Sequence, residues 1–550
     1  MNSAMKRYIT LAVTAVLCWS AASAQQEGLP SRSMTIEGAY TPTMTGTDKI
    51  LPVPDRKASD HQPAAVSYLT DANPIRQLDR APMGVFSENS DQITTVPYSG
   101  LVRFGYGLRN IHDGLLDFDW HMSQRDELRV SGLMDAWASK PDGSWKSRMF
   151  NADLTALYQH RFDSFSLNVD AALGHSHYNY RRGVSMDSAK YELSSLMQKV
   201  FRAQLGVSLD GKYNDIEWYF NTGMQWYSRK GLELAGSVNP NKERLLRIGG
   251  GARMPFMGGT GGVDYRQKTA MYDWQGMYGC GYPGFTTLTL SPYWEQTWNG
   301  LETHLGVNLD IRTAAGYKVL LSPMATASYR VNGQFMLTAA ATGGVRDNDM
   351  RTLSDVSPYW SETERIKDGY TLADLSLGAS YSYDTWLTLS AKGGYRHTID
   401  DLFQTVSDSL VISSCLVQQK SDIFYARLDA GMLFADRAEV RMDITCNGYT
   451  GKYKAGTLAY KPALDASLYG KVNIMPGLDA MLTYRLMTFC KVNGSRMAAV
   501  NDLALTVDYD YRPNLSFYMT ANRLVGGDWY YYAGYRALKP AILLGATYRF

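Results

Sequence analysis

The sequence predicts an all-β fold: a transmembrane antiparallel up-and-down β-barrel of about 22 strands, with roughly 16 to 22 compatible with the pattern, short periplasmic turns and longer outer loops. Three observations lead there. Apolar and polar residues alternate with a period of two from about Ser99 to Phe550, so each segment has two unlike faces. Short and long connections themselves alternate, which makes the two ends of the molecule distinguishable. The 550 residues include 38 Tyr and 49 Gly, a composition suited to pleated surfaces and tight turns. A mean hydropathy of -0.27 fits the same reading, because a barrel wall averages lipid-facing and water-facing side chains.

In chain order, the first segment is expected to be a cleavable secretory signal over 1–24. Lys6 and Arg7 precede an apolar run from Tyr8 to Trp19, and Ala22-Ser23-Ala24 stands before Gln25. That run is shorter than the ~20 residues a spanning helix needs. Residues 25–98 lack clean alternation and are rich in Pro, Asp, Ser and Thr, so they are expected to form an irregular periplasmic segment. Within it Met34, Thr35, Ile36 and Glu37 open a short strand-like piece, a candidate for coupling to a periplasmic partner by adding to the edge of its sheet. A flexible leader with one apolar cluster accounts for it as well.

Residues 99–550 form the expected barrel. Leu116, Phe118, Trp120 and Met122 alternate with Asp117, Asp119 and His121, and the return strand carries Leu128, Val130, Met134 and Ala136. Phe150 to Tyr158, Phe165 to Leu173, Ile216 to Met224, Leu301 to Ile311, Phe424 to Met432, Val440 to Ile444 and Leu464 to Ile474 repeat the pattern. Short turns are expected at Asp210-Gly211, Trp298-Asn299-Gly300, Asn332-Gly333, Asp384-Thr385, Ala435-Asp436, Pro476-Gly477 and Arg512-Pro513-Asn514. Longer connections are expected over 175–192, 228–242, 346–367 and 398–420. The Gly-rich stretch 249–262 reads as barrel bends or close approaches rather than a phosphate loop, since no Lys-Ser/Thr follows it. Trp218, Trp226, Trp294, Trp298 and Trp386 fall near strand ends, where interfacial girdles belong. The last strand places Ile542, Leu544, Ala546, Tyr548 and Phe550 on one face and must pair with the strand beginning near Ser99 to remove both open edges.

Three stretches carry a family resemblance. Tyr98-Ser-Gly-Leu-Val-Arg-Phe-Gly-Tyr-Gly107 opens the barrel, the leader 34–55 holds Tyr40-Thr-Pro-Thr and Lys49-Ile-Leu-Pro, and the tail runs from Asn522 through Trp529-Tyr-Tyr-Tyr532 to Tyr548-Arg-Phe550. In these the chain resembles the TonB-dependent-receptor-like outer-membrane barrels of Bacteroidota, in a subgroup without a recognisable plug. The resemblance implies residence in the cell outer membrane, contact with outer-membrane lipid, and recognition by the barrel-assembly machinery through a membrane-insertion signal at Tyr548 and Phe550. It also implies uptake or conduction of polar solutes.

No catalytic, cofactor or metal constellation is expected, and the chain is read as a non-enzyme. His397 with Asp400 and Asp401 is the nearest approach to an acid and imidazole arrangement for a hydrolase; at that spacing the three read as polar loop residues. His175 and His177 offer two ligands with no third, and Asp347-Asn348-Asp349 lacks the rest of a calcium loop. Cys280, Cys415, Cys446 and Cys490 have no zinc-like spacing. The formal charge of +2 gives no ground for nucleic-acid binding. The aromatic residues Trp529 to Tyr532, Tyr178, Tyr180 and Trp360 are candidates for stacking on an outer ligand or for the interfacial belt. Asp117, Asp119, Arg129, Arg202, Glu217, Asp310, Arg312, Arg427 and Asp429 are the candidate lumen-lining charges, mixed in sign. The expected function is solute passage across the outer membrane. The alternatives are a non-conducting receptor or scaffold barrel in an envelope complex and an outer-membrane hydrolase.

Overall fold

A computed structural model describes residues 99–550, apart from short stretches at 141–145, 183–195, 231–240, 274–283, 314–317, 363–365, 385, 409–410, 435–436, 455, 493–495 and 526. The signal, the segment 25–98 with Met34 to Glu37, and Cys280 lie outside the described residues. Twenty-two antiparallel strands close into a barrel, each paired with its sequence neighbour. Among the described residues no helix is long and apolar enough to cross a membrane.

Closure occurs where the terminal alternation demands it. The first strand, Gly100–Gly107, pairs with the last, Ala541–Arg549, from Leu101 opposite Arg549 to Gly107 opposite Leu543. The Gly100 amide donates to the Phe550 carbonyl and the Phe550 amide to the Gly100 carbonyl, each at 3.0 Å. Both edges of the sheet are thereby used, and no row of unpaired backbone groups faces lipid. Leu544, Tyr548 and Phe550 point outward, with Leu544 61% exposed, while Leu543 and Thr547 are buried inside. The same parity runs round the wall: Val319, Leu321, Leu377 and Phe424 are among the exposed outward side chains. An outward apolar face on a closed barrel has its burial partner only in lipid.

Two details of the wall differ from expectation, and a third gives the expected close approach its form. The turn expected at Asp210-Gly211 lies inside the strand Met197–Tyr213, and the chain reverses instead at Asn214, which takes φ 54°. The long connection expected over 398–420 is a tall hairpin made by the strands Leu387–Asp408 and Val411–Phe434, of 22 and 24 residues. A register shift between Thr398 and Asp401, with Asp400 at φ 57°, marks where that hairpin bends. The polar residues there hid an alternation that continues through Leu402, Gln404 and Val406. The Gly-rich stretch forms parts of two strands, Asn241–Phe256 and Gly259–Asp273. Its glycines admit side chains: a Cβ on Gly251 would stand 2.5 Å from the Tyr219 ring and one on Gly262 would stand 2.3 Å from the Tyr293 ring.

Candidate functional site

The polar face of the wall is a continuous set of hydrogen-bonded charges, and the candidate residues sit within it. Asp117 receives Arg129 at 3.1 Å and the Ser131 hydroxyl at 2.8 Å. Arg202 reaches Asp153 at 2.9 Å, and Glu217 takes Arg253 at 2.6 Å. Arg427 bridges Asp429 and Asp443 at 2.8 and 2.9 Å. Asp310, fully buried, accepts from the Thr289 hydroxyl, and Arg312 donates to the Asp368 carbonyl at 2.7 Å. Asp119 stands apart from these pairs, beside His121 and Glu127 at the short-turn rim. Cross-strand neighbours of opposite sign come within reach because inward side chains of adjacent strands are about 5 Å apart. Among the described residues these pairs mix both signs.

The other hydrolase and metal candidates are not assembled. His397 bonds Asp422 at 2.7 Å, not Asp400 or Asp401, and Asp422 also accepts from Tyr395 at 2.5 Å. Asp401 is buried against Arg346 at 3.1 Å and Lys461 at 3.6 Å, while Asp400 occupies the bulge. His and the two acids alternate along one strand and then meet an irregularity, so they face different surroundings. His175 and His177 have ring centroids 6.1 Å apart, and His177 stacks on Phe150. Cys446 and Cys490 form no disulfide.

The feature that sequence reasoning missed is a packed cover at the long-loop end. Its centre is the described part of the connection between Arg346 and Gly369, residues 347–362 and 366–368, which contains the helix Met350–Val356. Asp349 caps the helix by accepting from the Thr352 amide at 2.8 Å, and Met350, Leu353 and Val356 are buried on one side. Beyond it Trp360–Glu362 pairs in parallel with Ser414 to Leu416 of the tall hairpin, and Arg181–Arg182 pairs with Val411 and Ile412. Ser414 Oγ donates to the Ala533 carbonyl at 3.1 Å, which ties in the last connection, 523–540.

Of the aromatic residues expected as a ligand platform or an interfacial belt, Tyr178, Tyr180, Trp360, Trp529 and Tyr532 are instead in the core of this cover. Trp360 is fully buried; Tyr359 stacks on Tyr535 at 3.6 Å and meets Tyr178 edge-on at 5.4 Å. Tyr180 and Arg229 both donate to the Trp360 carbonyl at 3.0 Å, and the Arg229 guanidinium lies 4.0 Å from the Trp360 ring centroid. Trp529, Tyr532, Leu416, Met487, Phe489 and Val500 complete the cluster. These residues come from strands all round the rim. Rings with one polar atom serve such a core because the body packs while the polar atom can still be partnered, as the Tyr180 hydroxyl is by the Trp360 carbonyl and Trp360 Nε1 by the Ser354 hydroxyl.

On the opposite side the cover is held by charge. Lys268, 8% exposed, bonds Asp347 at 2.6 Å and Asp368 at 3.0 Å. Arg247 reaches Asp349 at 2.8 Å, and both Glu243 oxygens accept from the Met350 amide at 3.0 and 3.1 Å. Burial raises the Asp368 carboxyl above the ordinary carboxylate range against the pull of Lys268. Burial acts on Asp347 too, but Lys268 and Arg247 outweigh it and hold that carboxyl low. The stretch Asp347-Asn348-Asp349, read in sequence as an incomplete calcium loop, is thus an anchor to the wall. Its signal was two acids flanking a helix start.

No protein-family model matches the chain, and no curated protein does. Solved structures do. The siderophore receptor PirA from Acinetobacter baumannii superposes with a TM-score of 0.62 at 13% identity, covering 82% of this chain and 80% of that one. The ferric enterobactin receptor PfeA from Pseudomonas aeruginosa, in complex with enterobactin, gives 0.62 at 12% identity, covering 82% and 81%. The copper transporter OprC gives 0.59 at 12% identity, covering 83% and 81%. At these identities the likeness is one of fold: this chain shares with them the large closed antiparallel barrel, here of 22 strands.

Proposed function

We propose that the protein takes up polar solutes across the outer membrane as a gated, receptor-type barrel, and that Asp117, Asp119, Arg129, Arg202, Glu217, Asp310, Arg312, Arg427 and Asp429 line its path. The observation that carries this is the combination of a closed lipid-facing wall, an inner face of paired charges, and a cover at one end. A lining of both signs favours passage of polar solutes without selecting one simple ion. The cover favours gating over a permanently open pore. Its aromatic core is hydrophobic and packed, and such a core excludes water.

The finer placement is also a proposal: a plugless member of the TonB-dependent-receptor-like barrels of Bacteroidota, with a signal over 1–24 and a periplasmic segment over 25–98. Met34, Thr35, Ile36 and Glu37 would engage a periplasmic partner by strand addition. Tyr548 and Phe550 would serve recognition by the assembly machinery. We read the chain as a non-enzyme, a reading supported by its likeness in fold to receptor and transporter structures.

The test is uptake of labelled polar solutes of graded charge in cells with and without the gene. Saturable uptake that requires the intact chain is expected. Identical uptake in both strains across the whole series would end the uptake reading and leave a scaffold barrel, the reading that the packed cover also favours.

A further inference from the structure

The anchor of the cover has the charge pattern of a binding site filled by the chain itself. Lys268, Arg247 and Arg312 project from three wall strands toward the connection 347–368, and what meets them are the carboxylates of Asp347, Asp349 and Asp368 together with the Asp368 carbonyl. The wall also brings Glu243 and Asp310 into this region. Glu243 is engaged by the Met350 amide and Asp310 by Thr289. Arg266 stands in register with Thr289 and so on the row of Asp310. Lys268, Thr287 and Arg312 share the neighbouring row. Counted by side chain, the wall contributes four cations and two acids, and the connection contributes three acids.

The fit is incomplete. Asp368 Oδ2 and Thr287 Oγ1 are buried without a hydrogen-bond partner, as the Tyr178 hydroxyl is within the aromatic cluster. The two sides also respond differently to opening. Charged groups that separate regain hydration, and this offsets much of their lost attraction. Apolar rings that separate gain nothing from water.

We propose that Asp347 and Asp368 act as built-in competitors on a cationic site formed by Lys268, Arg247 and Arg312, that this site takes an anionic solute bearing several carboxylates or phosphates, and that such a solute releases Asp368 and the segment from Asp347 to Val356 from the wall. The helix Met350–Val356 then swings about Ser357 to Trp360, which draws Met350, Leu353 and Val356 from the edge of the aromatic cluster and breaks the Ser354 bonds to Tyr227 and Trp360, while Ser357 to Trp360 stay fixed by the Ser357 to Ser414 hydroxyl bond of 2.9 Å and by Arg229. Bidentate guanidinium and ammonium donors suit either oxyanion. This deepens the uptake reading and rests on it for its purpose.

The experiment uses the full-length protein in planar bilayers, with tripolyphosphate as the anionic probe and maltotriose as the neutral one. Tripolyphosphate is expected to raise the opening frequency by about tenfold or more, and maltotriose to leave it unchanged. In parallel, amide hydrogen exchange of the wild-type protein is expected to quicken over 348–356 with tripolyphosphate and to stay constant over 414–416. The loop variant D347N/D368N, checked for heat-modifiable mobility, should open without a probe. The proposal is overturned if tripolyphosphate changes neither conductance nor exchange, if maltotriose acts equally, or if 414–416 loosens together with 348–356. Openings without cellular uptake would keep the gate and remove the uptake reading instead.

Discussion

The seam of the barrel and its tall hairpin are made of the same kind of strand and do different work. At the seam Gly100–Gly107, Leu515–Asn522 and Ala541–Arg549 have 8, 8 and 9 residues. Those lengths sit close to the ~9–11 residues that a tilted strand needs to cross a bilayer, so the seam is all wall. The hairpin strands have 22 and 24 residues. Their excess of about a dozen residues each extends some 40 Å at the strand rise. That excess bends at the Thr398/Asp401 irregularity and carries the cover. Low wall closes the barrel, and tall wall closes its mouth.

The comparison can be broken first at the seam. A Cβ on Gly545 would lie 2.3 Å from the Tyr518 ring, and one on Gly105 would lie 2.4 Å from the Tyr518 hydroxyl and 2.2 Å from Asp113 Oδ1. Gly545→Val is therefore expected to cost about 3 kcal/mol and to shift the protein to unfolded mobility on an unheated gel. Wild-type mobility would show that the seam tolerates what the structure forbids. Next in size, deleting 402–417 with a short turn in their place should leave heat-modifiable mobility intact while the buried Trp360 and Trp529 emission moves to longer wavelength. Loss of the barrel itself would mean that the hairpin tip supports the wall.

Tyr359→Ala removes the ring stacked on Tyr535 and should destabilise the cover by about 3 kcal/mol, read as faster amide exchange at 357–362 with the seam unchanged. Equal loosening of the seam would merge the two regions into one cooperative unit. The smallest effect is expected for His397→Ala: about 1 kcal/mol from its bond to Asp422, and no loss of any activity or uptake. A large functional loss there would reopen the hydrolase alternative.

Legibility in the sequence followed locality. The terminal strand showed its faces because Ile542, Leu544, Ala546, Tyr548 and Phe550 are two apart, and a period of two needs no knowledge of the partner. Turns such as Trp298-Asn299-Gly300 and Pro476-Gly477 were legible because Asn299 and Gly477 take positive φ, which those residue types accept readily. Asp210-Gly211 misled for the converse reason: a turn dipeptide can sit within a strand when its neighbours pair, and Gly211 stands opposite Phe165 and Trp218 in the sheet. Mixed sign on the inner face was readable; which acid meets which base was not, because pairs such as Lys268 with Asp368 join positions 100 residues apart.

By itself, the sequence determined the class of fold, the parity of the wall, the distinction between its two ends and the need for its first and last strands to meet. Each follows from patterns within a dozen residues and from the cost of an unpaired edge in lipid. Only the tertiary structure decided that Tyr178, Trp360, Leu416 and Tyr535 share one core, and that Asp347 and Asp368 turn back onto Lys268. Burial and charge pairing at the mouth depend on how strands of unequal height bring distant connections together over the opening, and nothing in a local period encodes that height.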